Sequence, residues 1–262
     1  MSFPGLTRES SLDFKPWIVG SSPTMTPNLL PDNDAVIMSL IEITPEISYL
    51  PSVENPLSSD VVFIKTDGSD TTWIFDTGTC GEAANLINQI EGKKNIVISH
   101  FHPDHILNLL KVKYDKLYVT KYTKKYTRAG EIVEGEESFA DGIKLYPIPS
   151  SHSKGSLVLE YKDYAFLGDA TYCHFRLSAR EYNVQLLEQM IKKMEEIQAP
   201  NFCLSHDKGF VQPKESVLRI YRKILARRKA GNPTINVNDF FNEDGGVKES
   251  EDALGNNAKV KI

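Results

Sequence analysis

Cysteine is scarce. Cys80, Cys173 and Cys203 are the only three in 262 residues, and no two stand at CxxC spacing. An odd count at wide intervals excludes a disulfide framework and a thiolate zinc or redox motif. Small buried thiols in a reducing compartment are expected, the alternative being that each lines a site, since Cys173 follows Asp169 by four positions and Cys203 precedes His206 by three. Long apolar runs are missing as well: no stretch approaches the roughly 18 residues of a membrane span. The first twenty residues hold no basic segment followed by an apolar one, so the expected location is cytoplasmic with no membrane partner. Nor is there a surplus of positive charge. Thirty Lys and Arg against 35 Asp and Glu give −5, which argues against nucleic acid, because phosphate backbones are met by an excess of bases.

What is present is a globular composition, 40% hydrophobic and 25% charged, with apolar residues enough for a sizeable core. Pro4, Pro16, Pro23, Pro27 and Pro31 punctuate the start, and neither helix nor strand survives prolines at that density. Residues 1–40 therefore read as an irregular arm, packed on the body or used in a subunit contact such as a homodimer. The body spans residues 41–231. Val61 to Ile64 and Trp73 to Phe75, separated by Asp67-Gly68-Ser69-Asp70, make a hairpin signal. Strand patterns at Asn95–Ser99 and Lys116–Thr120 alternate with short helical ones, and Ile143–Ile148, Ser156–Tyr161 and Tyr164–Leu167 follow without helices. Leu186, Leu187, Met190, Ile191, Met194 and Ile197 mark one face of an amphipathic helix, and Pro213 to Lys229 opens with proline and stops before Gly231 as a second helix does. The methionines read as core filling. Residues 232–262 form a polar tail, expected to be loosely ordered. Two strand-rich stretches, each flanked by helices, imply an α/β sandwich with the helices outside.

Only six histidines occur, and three of them lie in Ser99-His100-Phe101-His102-Pro103-Asp104-His105. In an extended loop alternate residues face one way, so His100 and His102 can address one ion while Asp104 and His105, past the proline, turn toward another. Packing does not explain such a cluster at the end of a buried strand, because every imidazole and carboxylate there needs a partner to offset its desolvation. His152, Asp169 and His206 likewise follow strand patterns, at the strand ends where α/β folds gather chemistry.

His100 to His105 match the HxHxDH signature of the metallo-β-lactamase superfamily, and a later histidine, a Gly168-Asp169 pair and a final histidine come in that family's order. Phe75-Asp76-Thr77-Gly78 resembles the Asp-Thr-Gly that ends an early strand there. The resemblance spans about Asp60 to Lys229. It implies a four-layer αββα sandwich and two divalent metal ions, zinc first, with iron or manganese as alternatives. His100, His102 and His152 would hold one ion, Asp104, His105 and His206 the other, and Asp169 would bridge them. Asp76 would support the ligand loops without binding metal. One departure is that Ile106, Leu107 and Asn108 stand where the family often has small glycines.

The implied activity is that of a metal-dependent hydrolase acting on a small-molecule substrate, in which a hydroxide shared by the two metals attacks an ester-like carbonyl, thioester or lactone, and Asp104 orients it or moves its proton. Asp169 favours the glyoxalase II, lactonase and phosphodiesterase branches, and His102 stands where flavodiiron proteins typically carry Glu. Gly168-Asp169-Ala170-Thr171-Tyr172 and Ser205-His206-Asp207 are similar to lactonase segments in which the tyrosine faces the substrate carbonyl, which makes Tyr172 a catalytic candidate. His174 is a candidate for substrate binding. Lys111, Lys113, Lys116, Lys121, Lys124, Lys125 and Arg128 stand among Tyr114, Tyr118, Tyr122 and Tyr126. That run reads either as a solvated face or as a guide for an anionic substrate, which keeps a phosphodiesterase or nuclease as the rival enzyme. A non-catalytic metal-binding sensor or scaffold is the remaining alternative.

Overall fold

The computed structural model describes residues 39–176, 179–207 and 209–240. Residues 1–38 of the arm and 241–262 of the tail lie outside the described residues.

Side chains alternate along the strands and divide between separate cores. Val62, Ile64, Trp73 and Phe75 enter one core, while Val61, Phe63 and Ile74 enter another. That period of two with apolar residues on both faces is what a strand covered on both sides requires. Val61–Lys65 pairs antiparallel with Thr71–Phe75, as the hairpin signal implies. With Ile41–Thr44, Ile47–Leu50, Lys93–Val97, Lys116–Val119 and Glu131–Ile132 they form a seven-stranded sheet. Glu137–Ser138, Lys144–Ile148, Ser156–Tyr161, Tyr164–Gly168, Asn201–Leu204 and Val211–Pro213 form a six-stranded one.

The sheets meet through Val62, Ile64, Trp73, Phe75, Val97 and Tyr118 on one side and Leu145, Leu157, Leu159, Phe166 and Cys203 on the other. Ala83, Ala84 and Ile87 of the helix Gly81–Gln89 cover the outer face of the first sheet. The outer face of the second is covered by helices Val184–Glu196 and Lys214–Ala226, through Leu187, Met190, Met194, Val217, Leu218 and Ile224. The result is the expected αββα order, with the methionines as core. Among the described residues no helix is long and apolar enough to cross a membrane.

In two places the ordered structure exceeds the sequence reading. Ile41–Leu50 is a hairpin that extends the first sheet. His174–Arg176, Ala179–Asn183 and Thr234–Asn236 make a separate three-stranded sheet that buries Ile235 and Val237, so packing continues past the expected boundary at residue 231.

Parallel pairing positions the site. Thr71–Phe75 lies parallel to Lys93–Val97, and Tyr164–Gly168 parallel to Asn201–Leu204. The chain therefore leaves each of these pairs at a common sheet edge, where the residues after them are brought together. Leu157 N donates to Ser99 O at 2.8 Å and joins the two sheets there. Gly168 has φ +54, and a Cβ on it would stand 2.6 Å from Ser99 Cβ. Glycine lets the strand bearing Asp169 approach this closely.

Candidate metal centre

Four loops from the two sheets converge here. His100 and His102 follow Lys93–Val97, Asp104 and His105 begin the one-turn helix Pro103–Ile106, His152 follows Lys144–Ile148, Asp169 follows Tyr164–Gly168, and His206 follows Asn201–Leu204. Two groups of side chains could each hold an ion: His100, His102 and His152, and Asp104, His105, Asp169 and His206.

Distances within these groups fit ligands around a common ion. His152 Nε2 is 3.0 Å from His102 Nδ1, His206 Nε2 is 3.1 Å from Asp104 Oδ2, and His105 Nε2 is 3.4 Å from Asp104 Oδ2. A tetrahedral ion with bonds of about 2.1 Å separates its ligand atoms by about 3.4 Å. Asp169 stands between the groups: its Oδ2 is 3.4 Å from His152 Nε2 and 3.3 Å from His105 Nε2, and its Oδ1 is 4.0 Å from His206 Nε2.

The fit to metal is also visible in what remains unpaired. His100 Nε2, His105 Nε2 and Asp169 Oδ1 are buried without a hydrogen-bond partner, an arrangement that costs free energy unless something else satisfies them. The opposite ring atoms are anchored. His105 Nδ1 lies 2.7 Å from Asp76 Oδ2, and Ser99 Oγ lies 3.0 Å from His100 Nδ1. Each ring is thereby held with Nε2 facing the centre, the orientation that outer partners give metal-binding histidines. His100, His105 and Asp169 form a closed floor, and His102, Asp104, His152 and His206 are half-buried around the opening. Cysteine stands in neither group. Cys203 is sealed in the core between the sheets, Cys80 precedes the first helix, and Cys173 packs on the outer core.

Protonation is set by burial and by neighbours. Burial, reinforced by the adjacent imidazoles of His105 and His102, pushes His100 well down, and burial with His152 lowers His102 to about 4. Both are thus neutral near pH 7, with the lone pairs that metal binding needs. Burial raises the Asp104 carboxyl, but the His206 hydrogen bond and the charge on His105 outweigh it and hold it at about 2. Burial lowers His105, and the carboxylates of Asp169 and Asp76 more than reverse that.

Asp76 stands where the sequence suggests, wholly buried at φ +61, with Oδ1 accepting from Ser99 N at 2.8 Å. Tyr172 differs from expectation. Its ring stands edge-on to His152 with centroids 5.9 Å apart, but its hydroxyl donates to Ser205 O at 2.5 Å and lies 3.2 Å from Asp207 Oδ1. Burial, with Asp169 and Asp207 nearby, pushes that phenol above its ordinary range. The hydroxyl is committed to the His206 loop, and the ring forms part of the wall. His174 is exposed on the separate three-stranded sheet and belongs to neither group.

The Lys-rich stretch divides. Tyr118 is core, stacked on Trp73 at 5.4 Å, and Tyr114 packs under the first helix. Tyr126, exposed, stacks on Phe101 at 4.3 Å, and the Phe101 ring lies 5.1 Å from that of His102. Lys121 and Lys125 flank the Tyr122 ring at 5.5 and 5.4 Å.

Two residues escaped the sequence reading. Asn108, wholly buried, donates to Thr77 O at 3.0 Å and Cys80 O at 2.8 Å, tying the 3-10 turn Leu107–Leu110 to the loop after Asp76. This carboxamide occupies the segment where small glycines were expected. The other is Asp60, which accepts from His206 N at 2.9 Å. Its sequence signal is only an acid at the mouth of a buried strand, and its partner lies 146 positions away.

Residues 55–140 match the family model described as the metallo-beta-lactamase superfamily. No curated protein matches the chain. Among solved structures, ETHE1 from Myxococcus xanthus is 15% identical with TM-score 0.54, over 70% of this chain and 85% of that one. A beta-lactamase domain protein from Burkholderia ambifaria is 14% identical with TM-score 0.52, over 73% and 74%. A metallo beta lactamase from Hirschia baltica is 14% identical with TM-score 0.52, over 73% and 98%. At these identities the likeness is one of fold.

Proposed function

We propose that this chain belongs to the metallo-β-lactamase superfamily, a reading supported by the matched segment and the αββα sandwich, and that it is a metal-dependent hydrolase of a small ester-like substrate, a thioester or a lactone. One observation carries the reading: seven His and Asp side chains from both sheets surround buried, unpartnered Nε2 and carboxylate atoms. His100, His102 and His152 would hold one ion and Asp104, His105 and His206 a second, with Asp169 between. Zinc, iron and manganese all suit this thiolate-free set.

Bound there, two divalent ions supply Lewis acidity, lowering the pKa of water at the site and offsetting negative charge on a substrate oxygen. The protein's own groups do the rest. Asp104, ionised above about pH 2, is the carboxylate at the open side that can orient water or accept its proton. Asp76 and Ser99 hold His105 and His100 in fixed orientation, so little reorganisation accompanies the reaction. The rings of Phe101, Tyr126 and Tyr172 form an apolar rim beside His102 and His152 on which an acyl or lactone body can lie.

A phosphodiester substrate is the second reading, favoured by the ammonium groups of Lys121 and Lys125 around Tyr122. A panel of thioesters, lactones and bis-p-nitrophenyl phosphate, assayed with protein reloaded separately with zinc, iron(II) and manganese, decides between them. Turnover of thioesters or lactones above the phosphodiester is expected. His102→Ala is expected to lose activity at least 100-fold with an unchanged circular dichroism spectrum, and an undiminished rate in that variant contradicts the mechanism. Metal-loaded protein inert to the whole panel would leave a binding role in place of catalysis.

A further inference from the structure

We propose that Asp60 is a positioning residue for the His206 half of the centre, holding that histidine at the distance from Asp104 that a second ion requires. The proposal rests on the metal-site reading above.

Asp60 is 5% exposed and stands at the mouth of strand Val61–Lys65. Its Oδ2 accepts from His206 N at 2.9 Å and from Ser205 Oγ at 3.1 Å, its Oδ1 accepts from Ser52 N at 3.1 Å, and its own N–H donates to Ser205 Oγ at 3.2 Å. The residue before it touches the other ligand, for Ser59 N donates to Asp104 O at 3.0 Å. One dipeptide, Ser59-Asp60, thus grips both Asp104 and His206, which are 102 positions apart in sequence.

The grip has something to oppose. His206 has φ +62, a left-handed conformation that side chains with a Cβ avoid and that persists where surrounding contacts over-determine it. On the other side of the loop Ser205 N donates to Gly168 O at 3.2 Å and Ser205 O accepts from Tyr172 Oη at 2.5 Å. Those two bonds fix Ser205. Only Asp60 holds the amide of His206 itself among the described hydrogen bonds. Without its carboxylate, the Ser205–His206 peptide can turn toward an ordinary φ and carry the imidazole away from Asp104. No hydrogen bond joins Asp60 to His100, His102 or His152 among the described residues, so the first ion's ligands should keep their arrangement.

The test is metal binding itself. Chelator-stripped wild type, Asp60→Ala, Asp60→Asn and Ile64→Val, the last a core substitution on the same strand, are titrated with zinc, with calorimetry giving stepwise affinities and native mass spectrometry counting ions. Wild type and Ile64→Val are expected to bind two ions alike. Asp60→Ala should keep one affinity within threefold of wild type and weaken the other at least tenfold, and Asp60→Asn, retaining one acceptor oxygen, should fall between them. Wild-type affinity for both ions in folded Asp60→Ala overturns the proposal, as does equal weakening of both. Should Asp60→Ala fail to fold, Asp60→Asn decides alone, two wild-type affinities again overturning it. Wild type that binds no ion refutes the metal-site reading, and this inference with it; a two-ion wild type beside an Asp60→Ala that binds both ions with wild-type affinity refutes this inference only.

Discussion

Gly168 shows how little space the centre leaves. Any β-carbon at φ +54 is strained, and here it would also meet Ser99 Cβ at 2.6 Å. Gly168→Ala is expected to cost about 1–3 kcal/mol from backbone strain alone, with overpacking adding about 1–3 kcal/mol. The fall should appear in the urea midpoint, together with reduced metal content because Asp169 is the next residue; an unshifted midpoint would contradict the packing described here. The residues most legible in the sequence were the candidate ligands, because His100, His102, Asp104 and His105 lie within six positions and their chemistry has no packing explanation. The groups that orient them were legible only in part. Asp76 announces itself by its place after an apolar strand, whereas Asp60 acts on a partner that only the folded chain brings near, and Ser99, though next to His100 in the sequence, gives no sign there of the bond its hydroxyl makes. Tyr172 illustrates the converse: its type and position suggested contact with substrate, but nothing local to it could reveal that Ser205 O takes its hydroxyl.

Elements with strong periodicity are legible to within three residues at their ends. The helix read as Pro213–Lys229 is Lys214–Ala226, and the strand read as Lys116–Thr120 is Lys116–Val119. The short Thr234–Asn236 strand was missed, since Ile235 and Val237 are isolated among polar residues and are buried only because Ala179–Asn183 lies alongside. Leu107–Leu110 raises a different question, because this 3-10 turn exposes Leu107 and Leu110 and is held from behind by the Asn108 carboxamide. Replacing Asn108 by Ala leaves Thr77 O and Cys80 O without that donor. The expected loss is about 1–3 kcal/mol of stability, read by chemical denaturation, with a smaller effect on metal affinity than loss of a ligand. Unchanged stability would mean that water replaces the carboxamide fully and that the turn is fixed by other contacts.

At the scale of the whole molecule, the centre joins the two sheets. His100, His102, Asp104 and His105 come from loops of the seven-stranded sheet, and His152, Asp169 and His206 from loops of the six-stranded one. Neither sheet alone carries both groups, which is why the candidate site lies at their shared edge and why the sandwich was legible together with the candidate ligands. An ion held across that edge binds the folded chain and not the unfolded one, so it stabilises by mass action. Whether these seven side chains cage two cations is decided by counting metal in chelator-stripped protein reloaded with zinc and freed of excess by gel filtration, with His102→Ala beside it. Two ions per wild-type chain and no more than one in His102→Ala are expected. Wild-type protein that emerges with none contradicts the two-ion cage.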